Sequence, residues 1–388
     1  MAKKISPYPK VDPSIWAVQS RESEEENIPV IISCKHRSLL PATHRRLQKQ
    51  GCCIKHSLPI INAVSTVIQR STLESMLKSK HVSYIFLDAQ VRGVLDTART
   101  TLHAKWAYNQ RHTGKGVTVA VIDTGIAPHP DLTKPRSRII GFKDFVNHRL
   151  EPYDDEGHGT HVAGIIAGNG HSSKGKYRGI APEANLVGVK VLNSSSSGTI
   201  SDVLAGMQWV LNNRKKYKIK IVNMSFGAAV SQPCQKDPLC LAARKMVQEG
   251  LIVVVAAGNS GPDPKTINSP GTAPSVITVG AMDDRVDLMS IPPFSSRGPT
   301  PEGIHKPDIV APGVNITSLN HRGSGYVAMS GTSMATPMVS GALALLMHSR
   351  PRLTPAKAKT HLLASTKSMR FQRDSEGKGL LNIKTLLE

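Results

Sequence analysis

The chain has little with which to build a disulfide framework. Only five of its 388 residues are cysteine, an odd number that does not suit a secreted, disulfide-stapled fold. In a reducing compartment all five would stay free thiols, although oxidation could bridge Cys234 and Cys240. No apolar run is long enough to cross a membrane. None follows Met1-Ala2-Lys3-Lys4-Ile5-Ser6-Pro7 either, as a secretory signal would require. A cytoplasmic protein is therefore expected, with non-classical release left open. Acidic residues are few: 28 Asp and Glu against 49 Lys and Arg, for a net charge of +21. The excess is spread along the chain, with no basic tail. Aromatics make up only 4% of the residues, and no recognised nucleic-acid module is present. The field favours solubility and loose attraction to polyanions or acidic peptides, not specific nucleic-acid reading.

Several catalytic signatures are missing. There is no His-Glu-x-x-His, so the pair His158 and His161 lacks the carboxylate that a zinc protease uses as base. There is one Asp-Thr-Gly, at Asp123, whereas aspartic proteases need two carboxylates sharing a proton. The serine region has no Gly-x-Ser-x-Gly, and neither His348 nor His361 beyond it sits on more than an ordinary helical stretch.

What remains is three segments. Gly331-Thr332-Ser333-Met334-Ala335-Thr336-Pro337 precedes an apolar run of helical periodicity. Ser333 thus lies at a helix N-terminus, where free N–H groups and the dipole favour a developing negative charge. Val117 to Ile122 is an apolar strand ending in Asp123-Thr124-Gly125. Gly157-His158-Gly159-Thr160-His161 opens a small-residue helix over Val162 to Gly168. A serine nucleophile needs a base and an orienting acid, and these segments offer both.

In order and spacing the three segments resemble the subtilases, the subtilisin-like serine proteases, from about Thr113 to the end. The resemblance implies a nucleophile at Ser333, a general base at His161 and an orienting carboxylate at Asp123, in the chain order known for subtilisin. His158 is then a packing residue beside the site. Ala256-Ala257-Gly258-Asn259-Ser260-Gly261 follows the strand Leu251 to Val255. In the family its asparagine, here Asn259, donates to the oxyanion together with the Ser333 backbone N–H. Substrate would bind as an added strand. Ser225, Phe226 and Gly227 match the segment that pairs with it, and Gly198 belongs to the segment flanking the other side. Ala256, Ala257 and Gly258 would leave a wide apolar pocket, suited to large hydrophobic or aromatic residues before the cut. Asp154-Asp155-Glu156 reads either as a solvated loop or as an acidic subsite for a basic residue.

The chemistry needs no cofactor. Family members often carry calcium, and Asp131 aligns with a common ligand position. The partner loop, Gly168 to Lys176, is basic and lacks the carboxylates that a hard cation wants. Calcium at Asp131 therefore stands as an open expectation.

From Val117 onward, apolar strands alternate with helical stretches. That pattern predicts an α/β fold with a parallel sheet and helices on both faces, which the resemblance makes the three-layer subtilisin-like architecture. The first hundred residues differ. Strand, helix, two strands, helix and strand over residues 28–87 give β-α-β-β-α-β, the ferredoxin-like pattern, with Ser71 or Thr72 capping the second helix. Three parts are expected: a flexible leader over 1–27, a small α+β domain over 28–97, and a peptidase domain over 98–388. Subtilase prodomains resemble this small fold. The resemblance implies an intramolecular chaperone and inhibitor, cut off by Ser333 between about Val91 and Thr100. The whole is similar to the AprX-like intracellular branch of bacterial enzymes. A monomer acting on protein and peptide substrates is expected, with no membrane and no specific nucleic-acid partner.

Overall fold

The computed structural model describes residues 10–11, 15, 27–58, 62–87, 101–230, 233–285 and 289–388. Most of the leader and the whole maturation window between Val91 and Thr100 lie outside them. The chain divides into two compact units, Met1–Val91 and Arg92–Glu388.

The first unit runs β1 (Ile28–Cys34), α1 (Leu40–Lys49), β2 (Ile54–Leu58), β3 (Ala63–Ile68), α2 (Arg70–Leu77) and β4 (Val82–Leu87). Its antiparallel sheet has the order β2-β3-β1-β4. Strand β1 buries every second residue, so Ile28, Val30, Ile32 and Cys34 face the two helices. Helix α2 departs from expectation at its start. It begins at Arg70, and its N-cap, Gln69, makes no side-chain cap bond. Thr72 turns into the core beside Leu73 and Met76 instead of capping. Within the leader, Val11 bridges to Ile85 of β4, and both Val11 and Ile15 join this unit's core. Burial of two apolar side chains outweighs the polar composition around them.

The second unit is built on seven parallel strands in the order β11-β10-β9-β8-β5-β7-β6. These are β5 (Thr118–Asp123), β6 (Ile139–Asp144), β7 (Asn185–Lys190), β8 (Ile219–Met224), β9 (Ile252–Ala256), β10 (Ile277–Met282) and β11 (Ile309–Pro312). Strands β5 and β9 are buried at every residue, as a sheet covered on both faces requires. Successive side chains serve opposite layers. Val119 and Val121 pack on α5 (His158–Ala167) and α8 (Thr332–Ser349). Ala120 and Ile122 pack on α6 (Ile200–Asn213) and α7 (Pro238–Gln248). Three short helices, α3 (Ala104–Asn109), α4 (Pro130–Thr133) and α10 (Arg373–Glu376), with α9 (Pro355–Ala364) and α11 (Ile383–Leu387), complete the outside. A hairpin of β12 (Ile316–Leu319) and β13 (Tyr326–Met329) lies over α5. The strand order reverses around β5. Sites in such sheets form at the carboxyl ends of strands near that switch point, which is where Asp123 sits. No helix among the described residues is long and apolar enough to cross a membrane.

Candidate active site

Asp123 ends β5 with its side chain fully buried. Its Oδ1 accepts from the Thr124 N–H at 2.8 Å and from Nδ1 of His158 at 2.7 Å. An ionised carboxylate can only accept, so the His158 proton is on Nδ1 and Nε2 is left as a base.

The sequence reading gave the base role to His161, and the geometry corrects it. Helix α5 begins at His158, four residues before the expected start, so His158 occupies its first turn and His161 lies one turn inside. The His161 ring is completely buried and does not line the cleft. Its Nε2 lies 3.0 Å and 3.1 Å from the carbonyls of Ile316 and Val327, so Nε2 must carry the proton. Its Nδ1 has no hydrogen-bond partner among the described residues. Burial, reinforced by the positive charge of His158, lowers its pKa to about 3. This is a neutral packing histidine beneath the hairpin, and it is His158 that meets Asp123 at the cleft.

The turn before α5 is built to hold His158. Buried Asp154 accepts from the backbone N–H groups of Glu156, Gly157 and Thr160 and from the Thr160 hydroxyl at 2.6–3.1 Å. Asp155 pairs with buried Lys190 at 2.6 Å. Glu156 accepts from the His158 N–H at 2.6 Å. Asp154 is therefore part of the frame that holds His158, while Asp155 stays exposed and Glu156 half-buried, so the expected solvated loop holds only in part. A Cβ at Gly159 would overlap the Gly125 carbonyl oxygen, so only glycine lets α5 close onto the Asp123–Gly125 turn. Burial by itself would favour the neutral His158 ring. Asp123 first, then Glu156 and Asp154, outweigh it and hold its pKa above the ordinary histidine range.

Ser333 is the second residue of α8, and its Oγ donates to the Ser225 carbonyl at 2.7 Å. Opposite it stands Asn259, after β9. Asn259 Oδ1 accepts from both the N–H and the Oγ1–H of Thr332 at 3.0 Å, and Thr332 Oγ1 accepts from the Gly258 N–H at 3.2 Å. Two donors on Oδ1 settle which way the amide points and leave Nδ2 as a donor at the cleft. Thr332, to which the sequence reading gave no role, is thus the residue that orients Asn259.

His158 and Ser333 line one cleft of about 350 Å³. Ser225, Phe226, Gly227, Ala256, Gly258 and Asn259 line it too, as expected. Ala257 does not. Its side chain is buried, and its backbone bonds to Val279 and Asn268 hold the wall in place. Gly198 is likewise absent from the wall, where Leu192 and Ser196 stand instead. A Cβ at Gly198 would strike Val191, so that glycine serves loop packing. Asn268 was missed, because a polar residue in a loop carries no periodic signal.

Asp131 is fully buried, and its carboxylate is already occupied. Oδ1 accepts from the Ser172 N–H at 2.8 Å; Oδ2 accepts from the Gly170 N–H at 3.1 Å and the Tyr326 hydroxyl at 2.8 Å. The Arg138 guanidinium donates to its backbone carbonyl. Donors and a cation surround it, so these residues do not fit calcium. Among the described residues no group of three or more His, Cys, Asp or Glu side chains could hold a metal ion. All five cysteines are free thiols.

Residues 114–383 match the model of the subtilase family. The chain is 48% identical over 331 residues to serine protease AprX of Bacillus subtilis, covering 79% of this chain and 74% of that protein. It is 33% identical over 366 residues to subtilisin E of Bacillus subtilis, covering 92% of this chain and 87% of that one. Among solved structures, sphericase aligns with a TM-score of 0.61 at 30% identity, over 70% of this chain and 92% of that chain.

Proposed function

The chain belongs to the subtilase family and is a subtilisin-like serine protease, and we propose that Asp123, His158 and Ser333 form its catalytic triad. The observation that carries this reading is the 2.7 Å bond between Asp123 and His158 at the edge of the cleft that holds Ser333. A peptide entering the cleft pairs with the backbone of Ser225 to Gly227 as an added strand. Ser333 Oγ leaves the Ser225 carbonyl and turns to His158. As it attacks the scissile carbonyl, its proton passes to His158 Nε2. Asp123 holds the imidazole in the Nδ1–H tautomer and stabilises the imidazolium. Asn259 Nδ2 and the free N–H of Ser333 in the first turn of α8 bind the oxyanion. Collapse expels the amine, which takes the proton from His158, and water then hydrolyses the acyl-enzyme by the same steps.

Small residues at Gly227, Ala256 and Gly258 leave the pocket open, which supports a preference for large apolar residues before the cut. The first unit acts as an inhibitor that Ser333 removes by cleavage between Val91 and Thr100. Its β-α-β-β-α-β order and its separate core support this part of the reading.

A sulfonyl fluoride should label Ser333 stoichiometrically, read as an adduct on its tryptic peptide. The reagent needs a neutral His158, so the labelling rate should rise with pH through the His158 pKa, at a midpoint above that of an ordinary histidine. Glu156→Gln removes a negative charge that favours the imidazolium, and should move the midpoint to lower pH. A label on another serine, or a rate independent of pH between 5 and 9, would refute the triad. Asn259→Ala should lower kcat on a peptide substrate by about a hundred- to a thousandfold with a much smaller change in KM, measured by steady-state kinetics. A loss confined to KM would remove Asn259 from the oxyanion hole.

A further inference from the structure

The back of the peptidase unit carries a second pocket of about 270 Å³, which shares no residue with the catalytic cleft. Its wall includes Arg136, Arg138 and Arg178, with Thr113, Asn169 and Glu183. Three guanidiniums against one carboxylate leave it two positive charges in excess. Arg138 is 4% exposed. Its Nη1 donates to the carbonyls of Ala167 and Ala184, and its Nη2 to that of Asp131. All three acceptors are neutral, and among the described residues no carboxylate lies within ion-pair distance of Arg138, Arg136 or Arg178 (salt bridges form elsewhere in the unit). Arg178 donates through Nε to the Asn169 carbonyl at 3.3 Å and lies 5.6 Å from the centre of the Tyr108 ring, and among the described residues its two Nη groups make no hydrogen bond. Glu183 accepts from the Thr113 hydroxyl at 2.5 Å.

A buried cation without a counter-charge is costly. Burial, together with repulsion from Arg136, holds the Arg138 pKa down at about 10 despite the attraction of Asp131 and Glu183. The loop from Asn169 to Arg178, whose two ends line the pocket, contains no acidic residue. Positive charge from two separated parts of the chain, Arg136 with Arg138 and Arg178, meets in one concavity.

We propose that this pocket binds a phosphate group, free or as the terminus of a small phosphomonoester. A dianion with three or four oxygens matches the planar forks of Arg136 and Arg178 and brings a negative charge nearer to Arg138, which Asp131 and Glu183 attract only from beyond ion-pair distance. Bound there, it ties together the start of β6, the Asn169–Arg178 loop and the Thr113–Glu183 corner. It therefore stabilises the unit without entering the catalytic cleft.

The test uses the full chain carrying Ser333→Ala, so that autolysis does not obscure the reading. Inorganic phosphate and glycerol 1-phosphate are titrated by calorimetry and by thermal shift, at constant ionic strength set with chloride. At a hundredfold excess over Kd, either probe should raise the thermal midpoint by about 4–6 °C. Added Arg136→Ala or Arg178→Gln should weaken binding at least tenfold, and Arg136→Ala should not lower the midpoint in the absence of phosphate. Tighter binding of the ester identifies a small metabolite as the ligand, and equal binding identifies free phosphate. No heat from either probe at 20 mM overturns the proposal. A midpoint rise that is the same in both arginine variants also overturns it, because it would be the general stabilising effect of phosphate on folded proteins.

Discussion

His158→Ala should lower kcat by roughly a millionfold, while His161→Ala should cost stability and leave turnover of the folded enzyme within about tenfold. The two residues lie one helical turn apart, and their environments decide their roles. His158 donates to Asp123 and opens onto the cleft; His161 is sealed beneath the β12–β13 hairpin with its only proton on a backbone carbonyl. Removing His158 leaves Ser333 without a proton acceptor, so what survives is catalysis by the oxyanion hole and by binding. Removing His161 empties a buried site and orphans carbonyl groups, which costs about 2–4 kcal/mol. The measurement is kcat per folded protein, with prodomain removal supplied in trans by a trace of wild-type enzyme. The thermal midpoint is followed alongside. If His158→Ala keeps more than a hundredth of wild-type kcat while a folded His161→Ala variant loses it, the corrected assignment fails.

Ser333→Ala should abolish turnover to the same degree and should also leave the chain in one piece. The wild-type polypeptide of 388 residues should yield two fragments, with a new N-terminus between Val91 and Thr100. The variant should remain intact over the same period, because the proposed mechanism gives Ser333 the cutting of both linker and substrate. Mass spectrometry of the purified proteins reads both outcomes. Normal maturation of a pure Ser333→Ala chain would show that another protease does the cutting, or that Ser333 is not the nucleophile. Digestion of casein by that variant would single out the second explanation.

Much of the fold was legible because its signals are local. The alternation of buried strands and helices from Val117 onward needs only apolar periodicity to be seen, and β5, β8, β9 and β10 fall where the runs of Val and Ile put them. The β-α-β-β-α-β order of the first unit is legible for the same reason. Helix starts were less so. Thr72 has the chemistry of a cap and Val162 looks like the first helical residue, yet packing draws Thr72 into a core and extends α5 back to His158. Composition around Val11 and Ile15 argued for a solvated leader, but both side chains are buried in the first unit's core, with Val11 bridging to β4.

The amino-acid sequence by itself determined the chemical inventory: a carboxylate at a strand end, a serine at a helix start, an asparagine after a buried strand and a pair of histidines between them. It also determined the layered sheet that brings those ends to one edge. Only the tertiary structure decided which histidine meets the carboxylate, that Thr332 orients Asn259, that the Asp131 carboxylate is filled by N–H groups, and that three arginines share a pocket. The reason is physical. Identity and spacing are properties of neighbours along the chain, whereas hydrogen-bond partners and desolvation are set by groups tens or hundreds of residues away. A one-turn difference along α5 separates a ring at the cleft from a ring sealed in the core.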